Sequence, residues 1–302
     1  MALDRRAFLT TLGVAATSTA LGSTAAAEDR SALDSDNQWS VLVDTVLCIG
    51  CRKCEWACND HHKLSNRPLV TYEDKTVFAQ QRRPDFDTYT VVNEFKNASL
   101  GKAQAIKVQC MHCNRPACAS ACIVGALRKD SRGPVVYDSW KCIGCRYCMV
   151  ACPFQVPAYE YGNALTPQVR KCNFCIDRLE SGQVPACVSI CPNETLTFGR
   201  RGDLLEAARS RIHRNNGRYV PHIYGETEGG GTAWLYLAGT EFAATGLPQL
   251  DSEPVPEVTE WIQHGIFRSF VPPLALYALL GIIMHSTRND TPGKQIESGG
   301  DS

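Results

Sequence analysis

Residues 142–153 read Cys142-Ile-Gly-Cys145-Arg-Tyr-Cys148-Met-Val-Ala-Cys152-Pro153, and this C-x2-C-x2-C-x3-C-P spacing decides the fold. Three thiols separated by two residues each let one short loop wrap three corners of an iron-sulfur cube, with backbone N–H groups turned toward the sulfides. Gly144 lets the chain bend tightly inside that loop. The same loop cannot reach the fourth corner. The fourth cysteine therefore serves a neighbouring cube, and a second motif must complete the first.

Working outward, the chain supplies three more such groups. Upstream, Cys48-Ile-Gly-Cys51-Arg-Lys-Cys54-Glu-Trp-Ala-Cys58 repeats the spacing. Between these two lies Cys110, Cys113, Cys118 and Cys122, with two extra residues before the third cysteine. Downstream, Cys172, Cys175, Cys187 and Cys191-Pro192 have eleven residues at that point. The four groups use all sixteen cysteines of the 302-residue chain. A chain of this size does not need a disulfide scaffold, so the cysteines ask for another explanation.

The intervening chain indicates which motifs pair. Only 19 residues separate Cys122 from Cys142, and they read as a hairpin: Ala126 to Lys129 extended, a turn at Asp130-Ser131-Arg132-Gly133, then Pro134 to Tyr137 extended. The second and third motifs thus form one lobe, and the first and fourth, which enclose them, form the other. The expected ligand sets are Cys48, Cys51, Cys54 and Cys191; Cys172, Cys175, Cys187 and Cys58; Cys110, Cys113, Cys118 and Cys152; and Cys142, Cys145, Cys148 and Cys122. The fold class that follows is α+β, with two interlocked dicluster lobes and a C-terminal transmembrane helix.

Zinc is the main competing reading of C-x2-C pairs, but zinc ribbons have no use for a repeated third cysteine followed by C-x3-C-P. Cysteines two residues apart rarely reach disulfide geometry with each other. No C-x-x-C-H is present for covalent haem. His61, His62, His112, His213, His222, His264 and His285 are scattered and compose no catalytic constellation; His112, inside the second motif, is placed to tune its cluster by a hydrogen bond. Gly229-Gly230-Gly231 lacks the order of a dinucleotide fingerprint and reads as a turn before the strand-like Thr232 to Ala238. Leu204 to Asn216 has helical periodicity with a basic face.

Charge is balanced, with 31 basic and 31 acidic residues, so nothing points to nucleic acid. The ends read as targeting and anchoring. Arg5 and Arg6 precede Phe8, Leu9 and a weakly apolar stretch, and Ala25-Ala26-Ala27 offers a cleavage site, the layout of a twin-arginine signal over 1–27. That route moves folded proteins and keeps thiols reduced during cluster assembly. Gly265 to His285 is 21 residues long and mostly apolar, against about 20 for a spanning helix. The organisation expected is therefore signal 1–27, four-cluster domain 28–264, transmembrane anchor 265–286 and cytoplasmic tail 287–302, on the periplasmic face of a bacterial inner membrane.

With these features placed, the sequence resembles the four-cluster ferredoxin-like subunits of respiratory complexes, among them the beta subunits of membrane formate dehydrogenases and the electron-transfer subunits of the dimethyl sulfoxide reductase family. It is most similar to the HybA-type subunit of hydrogenase-2, on Tyr219 to Ala238, Gly246-Leu247-Pro248, Ile262-Gln263-His264 and Arg288-Asn289-Asp290. Cys58 and Cys122 lack the following proline often seen in the family. The resemblance implies four 4Fe-4S clusters and partners in hydrogenase small and large subunits and an integral quinone-reactive membrane protein. It also implies electron transfer without a catalytic centre in this chain. The same role beside a molybdenum oxidoreductase is the alternative, and a zinc-bearing scaffold is the reading from another class.

Overall fold

The computed structural model describes residues 35–65, 67–97, 101–163, 166–257, 260 and 271–287. The signal segment expected over 1–27 lies outside them. The chain divides into two units, Met1–Pro254 and Val255–Ser302.

The first unit is organised by β1 (Trp39–Asp44), the centre of a three-stranded sheet. Its neighbours are β8 (Leu196–Arg200), antiparallel with Val41 opposite Phe198, and β9 (Trp234–Leu237), parallel with Val41 opposite Trp234. A strand with a neighbour on each edge and a core on each face is apolar nearly throughout, which is why Val41, Leu42 and Val43 are all fully buried. Alternation then sorts the side chains. Val41, Val43, Trp234 and Tyr236 enter one core together with Phe174 and Cys187, while Leu42, Leu235 and Leu237 enter a second with Leu204, Leu205 and Ala208. One face thus carries the cysteine motifs. The other is sealed by α6 (Arg201–Arg214), which begins near Asp203 and ends with Arg211, His213 and Arg214, charges that complement the helix dipole. Arg201, buried, donates to the carbonyls of Thr232, Gly225 and Glu226 and ties that helix to the start of β9.

Two hairpins extend the unit. β2 (Thr90–Asn97) and β3 (Lys102–Gln109) pair along their length, from Thr90 opposite Gln109 to Asn97 opposite Lys102. β4 (Leu127–Lys129) and β5 (Val135–Tyr137) form the hairpin expected between the second and third motifs. Its turn is closed by the Asp130 carboxylate, which accepts from the Arg132 backbone N–H at 3.0 Å, and the Trp39 N–H donates to the Arg132 carbonyl at 2.8 Å. The hairpin tip is therefore fastened to the first residue of β1. A short β6–β7 pair (Ala158–Tyr159 with Val169–Arg170) follows the third motif.

In the second unit the described helix, α7, runs Val271–Thr287, 17 residues. At 1.5 Å per residue that is a rise of about 25 Å, short of the roughly 30 Å hydrocarbon core. Among the described residues no helix is long and apolar enough to cross a membrane, and the first six residues of the transmembrane segment expected over 265–286 lie outside the described set.

Candidate metal centres

The four motifs are two kinds of loop, each used twice. In the first and third, Gly50 and Gly144 have φ of 63° and 71°, and Arg52 and Arg146, two residues on, have φ of 61° and 62°. Each arginine caps a helix: α1 (Lys53–His61), which carries Cys54 and Cys58, and α3 (Tyr147–Ala151), which carries Cys148 and ends at Cys152. Two left-handed residues close together curl the loop so that its amides converge on one point, an anion-binding concavity suited to sulfide. The second and fourth motifs place His112 and Phe174 in the same left-handed region just before Cys113 and Cys175. Both then reach a proline followed by a four-residue helix: α2 (Ala117–Ser120) after Pro116, and α5 (Ala186–Ser189) after Pro185. Pro116-Ala117-Cys118 and Pro185-Ala186-Cys187 are thus a Pro-Ala-Cys repeat, a signal present in the sequence that spacing counts alone passed over.

The helices sort the motifs. α1 packs on α5, and α2 packs on α3. The second and third motifs share a core of Cys118, Cys148, Leu127, Val135 and Val169, with Cys122 and Cys142 at its margin. The first and fourth share Ala57, Cys175 and Ala186. Between the pairs, Cys110, Cys172 and Val156 form a further cluster flanked by Cys152, and the equivalent residues His112 and Phe174 meet edge to face at 5.0 Å.

Cys48, Cys51, Cys54 and Cys191 line one cavity with Val43 and Lys107. Burial, aided by the neighbouring Cys51 and Cys191 and opposed by a hydrogen bond from the Gly50 backbone, pushes the Cys48 thiol up to about 11. Burial holds the Cys58 thiol well above its ordinary value, and Cys172, Cys187 and Cys175 add to the effect. Burial lifts Cys113 to about 12, with Cys110 and Cys152 beside it, and Cys118 rises well above its ordinary value in the same company. Cys148 goes up to about 11 through burial and then through Cys122, Cys142 and Cys145. Cys191 thus neighbours the first motif, Cys58 the fourth, Cys152 the second and Cys122 the third.

Such thiols stay protonated at neutral pH unless a bound cation stabilises the thiolates, and iron does this. The spacing separates iron-sulfur cubes from zinc. Four sulfurs around zinc at about 2.3 Å sit about 3.8 Å apart, whereas among the described residues no three cysteine thiols lie within 4.8 Å of one another. The wider groups leave room for a larger inorganic core. His112 adds a second sign. Its Nδ1 accepts from the Val135 N–H at 2.9 Å, which leaves the proton on Nε2, a fully buried donor that no protein group among the described residues satisfies. Burial and the nearby ammonium groups of Lys171, Lys129 and Lys107 hold this imidazole neutral.

The scattered histidines need one correction. His61 and His62 come together with Cys175, their ligand atoms all within 4.8 Å, and His62 Nε2 is 3.5 Å from the Cys175 sulfur. Burial and the adjacent His61 push His62 down to about 4, so it meets that sulfur as a neutral ring. These histidines border the cysteine group that contains Cys175. Residues missed from the sequence are Lys107 and Lys171, both buried, and Glu55, 1 % exposed on α1. Glu55 is held by Arg52 at 2.8 Å, by Arg82 at 2.6 Å and by the Val92 N–H at 2.6 Å. Nothing in a linear pattern marks a lysine or glutamate as buried. Of the sixteen cysteines only Cys145 is exposed, beside exposed Trp140, Ile143, Tyr147 and Val150.

Comparison with known proteins agrees with this chemistry. Residues 102–201 match the family model of the 4Fe-4S dicluster domain. A protein of Nitratidesulfovibrio vulgaris is 50% identical over 261 residues, covering 85% of this chain and 70% of that one. The hydrogenase-2 operon protein HybA of Escherichia coli O157:H7 is 34% identical over 300 residues, 88% of this chain and 89% of that protein. The iron-sulfur subunit of the nitrate-inducible formate dehydrogenase of Escherichia coli K12 is 29% identical over 255 residues, 81% and 83% of the two chains. The dicluster match and the sixteen cysteines make this a protein of multiple 4Fe-4S clusters. The chain belongs to the HybA-like family of ferredoxin-type iron-sulfur electron-transfer subunits.

Proposed function

We propose that the chain holds four 4Fe-4S clusters and carries electrons between a periplasmic hydrogenase, made of small and large subunits, and a quinone-reactive integral membrane subunit. The observation that supports this reading is that Cys48, Cys51, Cys54 and Cys191 line one cavity, while Cys58, Cys113 and Cys148 each have a cysteine of the paired motif as a charge neighbour. Cys48, Cys51, Cys54 and Cys191 would hold one cluster, and Cys172, Cys175, Cys187 and Cys58 the second. Cys110, Cys113, Cys118 and Cys152 would hold the third, and Cys142, Cys145, Cys148 and Cys122 the fourth. When bound, the clusters supply one-electron carriers. The protein's own part is to hold the cysteines buried or half-buried and to leave one, Cys145, exposed where a partner can approach.

Export by the twin-arginine signal over 1–27, and membrane attachment through the apolar segment 265–286, complete the proposal. Exposed Tyr277, Leu279, Leu280 and Ile282 on α7 support attachment, because a helix apolar on all sides needs a non-aqueous or protein surround. The similarity to HybA favours hydrogenase, and the similarity to the formate dehydrogenase subunit keeps a molybdenum oxidoreductase as the second reading. Affinity purification of the full chain from anaerobic membranes tests the choice. Nickel in the co-purifying enzyme supports the hydrogenase, molybdenum supports the second reading, and neither metal contradicts both.

A further inference from the structure

Lys107, on β3, is 2 % exposed, and its ammonium has no carboxylate beside it among the described residues. It donates to the Gln109 side-chain oxygen at 2.8 Å and lies 4.4 Å from the centroid of the Trp234 ring. Glu55, the buried carboxylate between Cys54 and Cys58 on α1, is already held by Arg52 and Arg82. Removing an ammonium from water costs several kcal/mol unless opposite charge answers it. A neutral amide and an indole face do not suffice.

The remaining negative charge is the cysteine sulfur. Lys107 lines the cavity formed by Cys48, Cys51, Cys54 and Cys191. The Trp234 ring beneath its ammonium packs in one core with Cys187, which belongs to the other group of the outer pair, and its charge also acts on Cys58 and Cys172 of that group. Burial by itself would lower the Lys107 ammonium, yet Cys187, Cys54 and Cys172 outweigh it and leave the group raised. One buried cation therefore stands between two thiolate groups and answers both.

We propose that Lys107 is a positioning residue for electron transfer: its ammonium is the shared counter-charge of the two outer clusters and raises the reduction potential of both. This rests on the four-cluster reading. A cube held by four thiolates is anionic, and adding one electron increases that charge, so a fixed cation favours the reduced state of each centre. The permanent charge does this work, with no proton moved.

The test is an EPR-monitored redox titration of the full chain, purified anaerobically with its membrane partners, as wild type, Lys107→Met, Lys107→Arg and Gln109→Glu. Lys107→Met removes the charge, and Gln109→Glu sets a carboxylate against the ammonium with little change in shape. In both, the reduction equilibrium constants of the two outer centres should fall at least tenfold, a 59 mV drop for one electron. Those centres are identified as the signals lost in Cys51→Ser and Cys175→Ser. The inner pair should move less, and Lys107→Arg should restore the outer potentials. Unchanged outer potentials in Lys107→Met and Gln109→Glu, an equal shift in all four centres, or loss of iron from both variants would overturn the assignment in favour of a packing role. A wild type without 4Fe-4S signals would instead overturn the underlying cluster reading.

Discussion

Replacing Glu55 with alanine should open the helix that carries Cys54 and Cys58. The carboxylate is 1 % exposed and binds the buried Arg52 at 2.8 Å, Arg82 at 2.6 Å and the Val92 N–H at 2.6 Å. Arg52 keeps the Tyr72 and Asp74 carbonyls, but these do not answer its charge. Breaking a buried ion pair by removing one partner costs roughly 3–5 kcal/mol, and stranding the Val92 N–H adds about 1–3 kcal/mol. Taking only the lower bound of about 3 kcal/mol, at 1.4 kcal/mol per factor of ten, the population with α1 open rises at least about a hundredfold. Iron capture by a chelator reads that population when reclosing outruns capture. Glu55→Ala should therefore release iron at least about a hundredfold faster than wild type, and Glu55→Gln, which keeps an acceptor for Val92, should fall between. Release from Glu55→Ala within about threefold of wild type would refute the reasoning, because the carboxylate would then not be holding the motif.

Further consequences follow from other residues. Cys152→Ser should abolish the EPR signal of the cluster assigned to Cys110, Cys113 and Cys118 and leave that of Cys142, Cys145 and Cys148; the opposite loss would sink the crossed pairing. His112→Leu removes the acceptor of the Val135 N–H and should lower stability by about 1–3 kcal/mol in denaturant titration; an unchanged midpoint contradicts the hydrogen bond seen at 2.9 Å. Hydrogen bonds from the Arg132 side chain hold the Asp130 carboxyl below its ordinary value of 3.8. Its contribution is thus fully present above that value and is lost as pH falls through the lower folded value. The destabilisation of Asp130→Asn should be visible at neutral pH and shrink in acid, followed by visible absorbance; a deficit that persists in acid would contradict the pairing. Deleting residues from Val271 onward should shift the protein from the alkaline-washed membrane fraction to the soluble fraction, and retention on the membrane would refute attachment through α7.

The motifs were legible because their ligands are local. Three cysteines within seven residues declare a loop, and Gly50 and Gly144 declare its bend. The β4–β5 hairpin was legible for the same reason, with a short Asp-Ser-Arg-Gly turn between two short extended runs. The helix expected at Leu204 to Asn216 runs Arg201–Arg214 and begins three residues earlier, where Arg201 is drawn in to the carbonyls of Gly225, Glu226 and Thr232. β1 was not legible as the organising strand. Its partner β9 lies nearly two hundred residues away, and burial on both faces erases the polar alternation that marks a strand. Lys107, Lys171 and Glu55 were invisible for a related reason. Their burial depends on charges supplied by distant segments, and composition counts them as ordinary surface residues. The apolar C-terminal segment was legible from its hydropathy, and its described part is the helix Val271–Thr287.

Metal and acid-labile sulfide analysis of the anaerobically purified full chain tests the central claim most directly. Four cubes require about sixteen irons and about sixteen sulfides per chain, with a brown absorbance bleached by reduction. About eight irons, or zinc in place of iron, would contradict it, because a group of four thiols would then be holding something other than a cube.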